Sequence, residues 1–117
     1  MCWTHARQIA IPRMEKEELL KRVKESLGGT FGDRLRGVVL YGAEARGEAR
    51  EDSDIDLLVL LEGPVDLGED LRKTIDALYP LQLEVIRPLD AMPVDVELYE
   101  AGEFALYRNA RREGIRV

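Results

Sequence analysis

Asp54 and Asp56 open the longest apolar run of the chain, Leu57–Leu61, and this pairing of charge with an apolar run constrains the fold most. The stretch Ile55–Leu61 has strand length and is ended by Gly63-Pro64, a turn signal. Residues i and i+2 of a strand share a face, so both carboxylates point the same way, close together. Like charges at that separation resist ionisation unless a cation sits between them. Such a pair is a ready ligand set for Mg²⁺, a hard cation that takes oxygen ligands and keeps waters open for substrate phosphates. In isolation Asp52-Ser53-Asp54 would read as turn chemistry.

The context upstream reverses that preference. Gly37–Tyr41 is a short β-branched run, a buried strand by length and composition, and Gly42 follows it directly. A glycine there allows close backbone approach, and the residues after it are placed to open a short helix whose free N–H groups bind phosphate. Arg46 and Arg50 lie downstream, where a guanidinium neutralises a polyphosphate. Among Glu44, Glu48 and Glu51 both arginines could instead form i,i+4 surface pairs. That reading is preferred for Arg50, the phosphate contact for Arg46. A phosphate cradle and a metal-binding pair on neighbouring strands are the two halves of a metal-dependent nucleotidyl-transfer site.

The other elements follow from periodicity. Leu19, Leu20, Val23 and Leu27 predict an amphipathic helix over 13–27, stopped at Gly28-Gly29. Leu67, Leu71, Ile75 and Leu78 predict a second, stopped at Pro80. Leu81–Ile86 alternates and predicts a third strand; Val94, Val96 and Leu98 alternate and predict a fourth. Helical character resumes over 100–112, where Arg108, Arg111 and Arg112 read as a solvated face or as charges complementing the helix dipole. Helices alternating with strands predict an α/β (α+β) domain, a small mixed β-sheet of three to four strands flanked by helices. Residues 14–117 are expected to form this single domain, with residues 1–13 as an N-terminal extension.

Composition excludes several classes. With 34% charged and 45% hydrophobic positions among 117 residues, the chain is too aliphatic to be disordered. No apolar run reaches the roughly 20 residues that span a bilayer. A net charge of −6 argues against broad nucleic-acid binding, which phosphate neutralisation drives. Cys2 is the only cysteine and His5 the only histidine, both terminal, so a disulfide framework, a cysteine-rich zinc site and a histidine-centred mechanism are set aside. A soluble, cytoplasmic protein is expected. Arginine outnumbers lysine 13 to 4, with one asparagine and two glutamines, a balance that fits a thermophilic source or GC-rich coding.

The combination of a strand, a glycine turn, ten residues and Asp54-x-Asp56, with Ala45-Arg46-Gly47 inside the gap and Ser53-Asp54-Ile55-Asp56-Leu57 after it, is similar to the signature of the DNA polymerase beta superfamily of nucleotidyltransferases. In its short length the chain resembles the minimal nucleotidyltransferase branch. The resemblance implies the nucleotidyltransferase fold, two Mg²⁺ ions when nucleotide is bound, and transfer of a nucleoside monophosphate, AMP from ATP, to a hydroxyl. It implies Asp54 and Asp56 as metal ligands and catalytic residues, Gly42 and Ala43 as the phosphate turn, Arg46 as a phosphate contact and Ser53 shaping the approach to Asp54. A third acid is implied on the following strand. Glu84 is the choice, with Asp95 and Glu97 as alternatives.

Ala43 stands where the family has serine, which removes a hydroxyl but leaves the backbone donors, so weakened phosphate binding is expected. A chain this small holds no second domain for an acceptor. The resemblance therefore implies a protein acceptor, such as a tyrosine of a helical HEPN-type toxin for which the chain acts as antitoxin, with a hetero-complex or homodimer. The alternative is a catalytically degenerate antitoxin or partner-binding module on the same fold.

Overall fold

Helix α1, Lys16–Phe31, buries Leu19, Leu20, Val23, Leu27 and Phe31 along one stripe. The computed structural model describes residues 14–50 and 53–117; the expected extension over 1–13, with Cys2 and His5, lies outside them. Gly28-Gly29 does not stop α1, contrary to the sequence expectation. Each glycine costs a helix interior about 1 kcal/mol relative to alanine, and burial of Phe31 one turn later offsets that cost. The stop comes at Gly32, at φ 57°, whose N–H donates to the Gly28 carbonyl.

A single 3₁₀ turn, Gly32–Arg34, leads into β1, Leu35–Tyr41. The short helix α2, Gly42–Arg46, follows at once, then β2, Ile55–Leu61. Helix α3, Leu67–Gln82, is capped by Asp66, whose carboxylate accepts the Glu69 N–H at 3.2 Å. Strand β3 is Leu89–Asp95, α4 Val96–Ala101, α5 Ala105–Glu113 and β4 Ile115–Arg116. The sheet order is β3-β2-β1-β4, with β2 and β3 parallel and the other pairs antiparallel. A small mixed sheet flanked by helices is the architecture the sequence predicts, though not from the same strands.

Helix α1 and α3 cover one face over Val38, Leu40, Ile55, Leu57, Val59 and Leu61. The alternate residues Val39, Leu58, Leu60 and Val94 meet Val96, Tyr99 and Ala110 from the shorter α4 and α5. Among the described residues no helix is long and apolar enough to cross a membrane.

Two expected strands are corrected. Leu81–Ile86 is not a strand: α3 runs through Pro80 to Gln82, and residues 83–88 form turns. Leu78 and Leu81 are buried and Val85 packs beside them, a helical spacing, whereas Leu83 and Ile86 are exposed. The apparent alternation therefore has no buried face. The 94–98 alternation is split: Val94 lies in β3, and Asp95, the last residue of that strand, turns the chain into α4 by accepting the Glu97 and Leu98 N–H groups at 2.8 and 3.4 Å. Pro93 sits within β3, as an edge strand tolerates. The single helix expected over 100–112 is interrupted by Gly102, at φ 67°.

Among the described residues the most buried charge is Asp70, in the first turn of α3. Its two oxygens accept from Arg34 Nη1 and Nη2 at 3.1 and 3.0 Å, and the Asp66 N–H adds a bond at 3.1 Å. The guanidinium, then the backbone bond, hold this carboxyl below the usual carboxylate range against the opposing effect of burial. A lowered pKa stabilises the fold above the unfolded value near 4 and stops doing so as pH falls through the folded one. Arg34 is 35% exposed, so the pair is worth less than a fully buried one. Asp70→Asn should cost about 2 kcal/mol at pH 7. The gap from wild type in urea melts should shrink below about pH 4; an equal gap at pH 3 would trace the loss to packing instead.

Candidate active site

Sheet geometry gathers the acids at one end of the thinly covered face. Asp56 alternates with Leu58 and Leu60, and Asp90 with Met92 and Val94, so both point to the α4/α5 side. The parallel register sets Asp56 directly opposite Asp90, and the antiparallel register sets Tyr41 opposite Asp56 on its other flank. Asp54 stands two residues before Asp56, exposed at the mouth of β2. Burial, then Asp90, then Asp54 push the Asp56 carboxyl above its usual range, with Arg87 opposing them. The Tyr41 hydroxyl is raised by burial and by the charges of Asp56 and Asp90. Like charges face one another across the β2–β3 register, an arrangement that favours a bound cation.

Gly42 is fixed by the same geometry. It sits at φ 75°, and a Cβ on it would lie 2.7 Å from Asp56 Oδ2. Only glycine lets the turn come this close to the carboxylate. Ala43, Glu44 and Ala45 continue α2 from that turn, and Arg46 ends it. Arg46 Nε is bonded to Glu48 at 3.0 Å and its Nη1 lies 3.5 Å from Glu113, so its guanidinium is engaged with carboxylates. Ser53 Oγ accepts the Arg50 N–H at 3.0 Å, a turn role that orders the approach to Asp54.

Glu84 lies elsewhere. It is in the turn after α3, exposed, and its two oxygens accept from Arg22 Nη1 and Nη2 at 2.7 Å each. The reason is the mistaken strand: without β structure at 81–86, residue 84 has no register with β2. Asp95 is opposite Leu61, at the far end of the sheet from Asp56, and caps α4, whose first turn holds Glu97. Asp90 is the acid that faces the pair, and the sequence reasoning missed it. Its signal is present in Pro88-Leu89-Asp90-Ala91, an acid between apolar residues two positions after a proline. Arg87 was missed as well.

The donor chemistry fits Mg²⁺: oxygen-only ligands, two of them face to face. Among the described residues no three His, Cys, Asp or Glu side chains are gathered closely enough to hold a metal by themselves. This is the open kind of site that Mg²⁺ takes, with one or two carboxylates and the remaining positions left for phosphate oxygens and water. An apolar groove lined by Ile75, Leu78, Tyr79, Gln82, Leu89 and Ala91 lies on the opposite face of β3 from Asp90.

Comparisons with known proteins bear on the family. "Putative protein adenylyltransferase MJ0604" of Methanocaldococcus jannaschii is 29% identical over 102 residues, 86% of this chain and 96% of that protein. The protein adenylyltransferase MntA of Thermococcus cleftensis is 38% identical over 74 residues, 62% of this chain and 73% of its own. A solved structure described as a "putative minimal nucleotidyltransferase" aligns at 30% identity and a TM-score of 0.55, over 90% of this chain and 98% of that one. A toxin–antitoxin structure with AMP-PNP aligns at a TM-score of 0.60 and 19% identity, over 82% of this chain and 69% of that one, a likeness of fold. The model of the nucleotidyltransferase domain matches residues 16–116, nearly the whole described chain. With the glycine turn, the paired acids and this match in agreement, the chain belongs to the nucleotidyltransferase domain family, as a minimal member.

Proposed function

We propose that this transferase moves AMP from ATP to a hydroxyl on a partner protein, in a Mg²⁺-dependent reaction. The observation that carries the proposal is the Asp56–Asp90 register beside Gly42, where a side chain would strike Asp56. Asp54, Asp56 and Asp90 would hold Mg²⁺ only together with phosphate oxygens and water, with Asp90 in the place first given to Glu84. Bound Mg²⁺ would neutralise the triphosphate and ease ionisation of the acceptor hydroxyl. The backbone N–H groups after Gly42, including that of Ala43, would receive the phosphates, and Arg46 would exchange a glutamate for a phosphate oxygen. Ser53 keeps the mouth of β2 in shape. The acceptor oxygen attacks the α-phosphorus in line, the bond to the β-phosphate breaks, pyrophosphate leaves, and the hydroxyl proton passes to a carboxylate or to solvent.

The adenylyltransferase relatives support AMP as the group transferred, and the toxin–antitoxin neighbour with AMP-PNP supports a protein partner. A tyrosine of a helical HEPN-type toxin is the acceptor we propose, with the chain acting as its antitoxin. A second reading, a binding module on this fold with degenerate chemistry, is favoured by Ala43, which supplies no hydroxyl at the turn.

Calorimetric titration of a non-hydrolysable ATP analogue, with and without Mg²⁺, tests the nucleotide site. Labelled ATP incubated with the chain and its genomic neighbour tests the transfer. Mg²⁺-dependent binding with label on the partner supports the enzyme. Binding without transfer, or no binding at all, supports the module and removes the enzyme.

A further inference from the structure

Arg87 joins α2, which opens at Gly42, to the segment that leads into β2 at Asp54. It lies between the end of α3 and the start of β3, three residues before Asp90, with its side chain 19% exposed. Its Nε donates to the Ser53 carbonyl at 2.8 Å, and its Nη2 reaches the Asp54 carbonyl at 3.5 Å. Nη1 stands 2.6 Å from Glu44 Oε1 in α2, the helix that opens at Gly42. That contact is an ion pair without an aligned N–H···O bond, and the buried Oε1 has no hydrogen-bond partner.

Arginine 87 is itself held from behind. Gln82 Nε2 donates to the Arg87 carbonyl at 3.0 Å while Gln82 Oε1 accepts the Leu89 N–H at 2.7 Å. The Pro88 carbonyl accepts the Ile55 N–H at 2.8 Å, stitching the same turn to β2. A planar guanidinium with fixed donor directions is suited to bridging three partners at once, which an ammonium is not.

We infer that Arg87 is the positioning residue of this site: by joining Glu44 in α2 to the backbone of Ser53 and Asp54, it sets the spacing between the phosphate turn and the acids before ligand arrives. Its second effect is electrostatic. Glu44 is a carboxylate in the first turn of the helix that would meet phosphate, and Arg87 neutralises it. This inference rests on the nucleotide-site reading above, which it deepens.

The test combines binding with amide hydrogen exchange in Arg87→Ala, Arg87→Lys, Glu44→Gln and the Arg87→Ala/Glu44→Gln double variant. Titration with Mg²⁺ and a non-hydrolysable ATP analogue should give a loss of roughly 10- to 100-fold for Arg87→Ala, the range usual for groups that orient ligands. Arg87→Lys should recover only part, since it keeps the ion pair and loses the carbonyl bonds. The double variant should bind better than Arg87→Ala alone, because the stranded Glu44 charge is gone. In the free protein, Arg87→Ala should lose exchange protection at Gly42–Arg46 and Ser53–Asp56 while α1 and α3 keep theirs. Wild-type affinity in Arg87→Ala, or protection lost evenly along the chain, overturns the inference. Should the wild type itself fail to bind, the nucleotide reading falls, and exchange alone decides: selective loss upholds the joint, uniform loss overturns it.

Discussion

Asp56→Asn should raise the thermal stability of the free protein and remove its Mg²⁺-dependent affinity for a non-hydrolysable ATP analogue. The two effects have one cause. Asp56 is partly buried, opposite Asp90 and two residues from Asp54, with burial and both neighbours opposing its charge. An amide of the same shape relieves that repulsion, and relief of functional strain commonly yields about 0.5–2 kcal/mol. The same exchange deletes a metal ligand. Loss of an outer partner of a metal site costs 10- to 100-fold in affinity, so loss of a ligand should exceed about 100-fold. Asp90→Asn should behave alike, because the register makes the pair reciprocal. Glu84→Gln is the control: its carboxylate is bonded to Arg22, and nucleotide affinity should not change. Calorimetry and a thermal melt on the same samples read both effects. Equal affinity in Asp90→Asn and wild type would remove Asp90 from the ligand set.

Leu57→Ala should be the most destabilising single truncation in the sheet, at about 3–5 kcal/mol. Leu57 is fully buried in the middle of β2, an interior strand, and faces the layer built by α1 and α3. Both helices are 16 residues long and anchored at several points, so neither can settle into the space left behind. Leu58 is equally buried but faces α4 and α5, of six and nine residues. Those shorter helices can shift inward, and Leu58→Ala should cost less, about 2–3 kcal/mol. Against a total stability of 5–15 kcal/mol for a domain, the first change removes a large share. Urea midpoints of the two variants check the order; Leu58→Ala falling below Leu57→Ala would reverse it.

What the sequence disclosed depended on whether local pattern and tertiary burial coincided. Around β1 and β2 they did. Gly37–Tyr41, Gly42 and Ile55–Leu61 occupy the elements expected, and Asp54 and Asp56 stand at the mouth of β2 as spacing requires. Downstream of Pro80 they parted. Proline falls in the last turn of α3, where little helix remains to be broken, and burial of Leu81 carries the helix past it. Gln82 and Glu84 then alternated with apolar residues by coincidence. Once that strand was misplaced, Glu84 took the position for which we propose Asp90. The Asp56–Asp90 contact joins residues 34 apart through a parallel crossover, and no local pattern encodes such a register. Arg87 was invisible for a similar reason, since its partners are carbonyls and one glutamate on two distant segments.

The uneven covering of the sheet has an evolutionary consequence. One side, sealed by two long helices, carries the greater part of the core; the acids stand on the other, where Met92, Leu98, Phe104 and Leu106 remain exposed. Exposed positions accept substitution at small cost, usually within about 0.5 kcal/mol. A lineage can therefore remodel the surface around its acids generation after generation without approaching the stability threshold. Durability and adaptability are inherited on separate sides of one sheet.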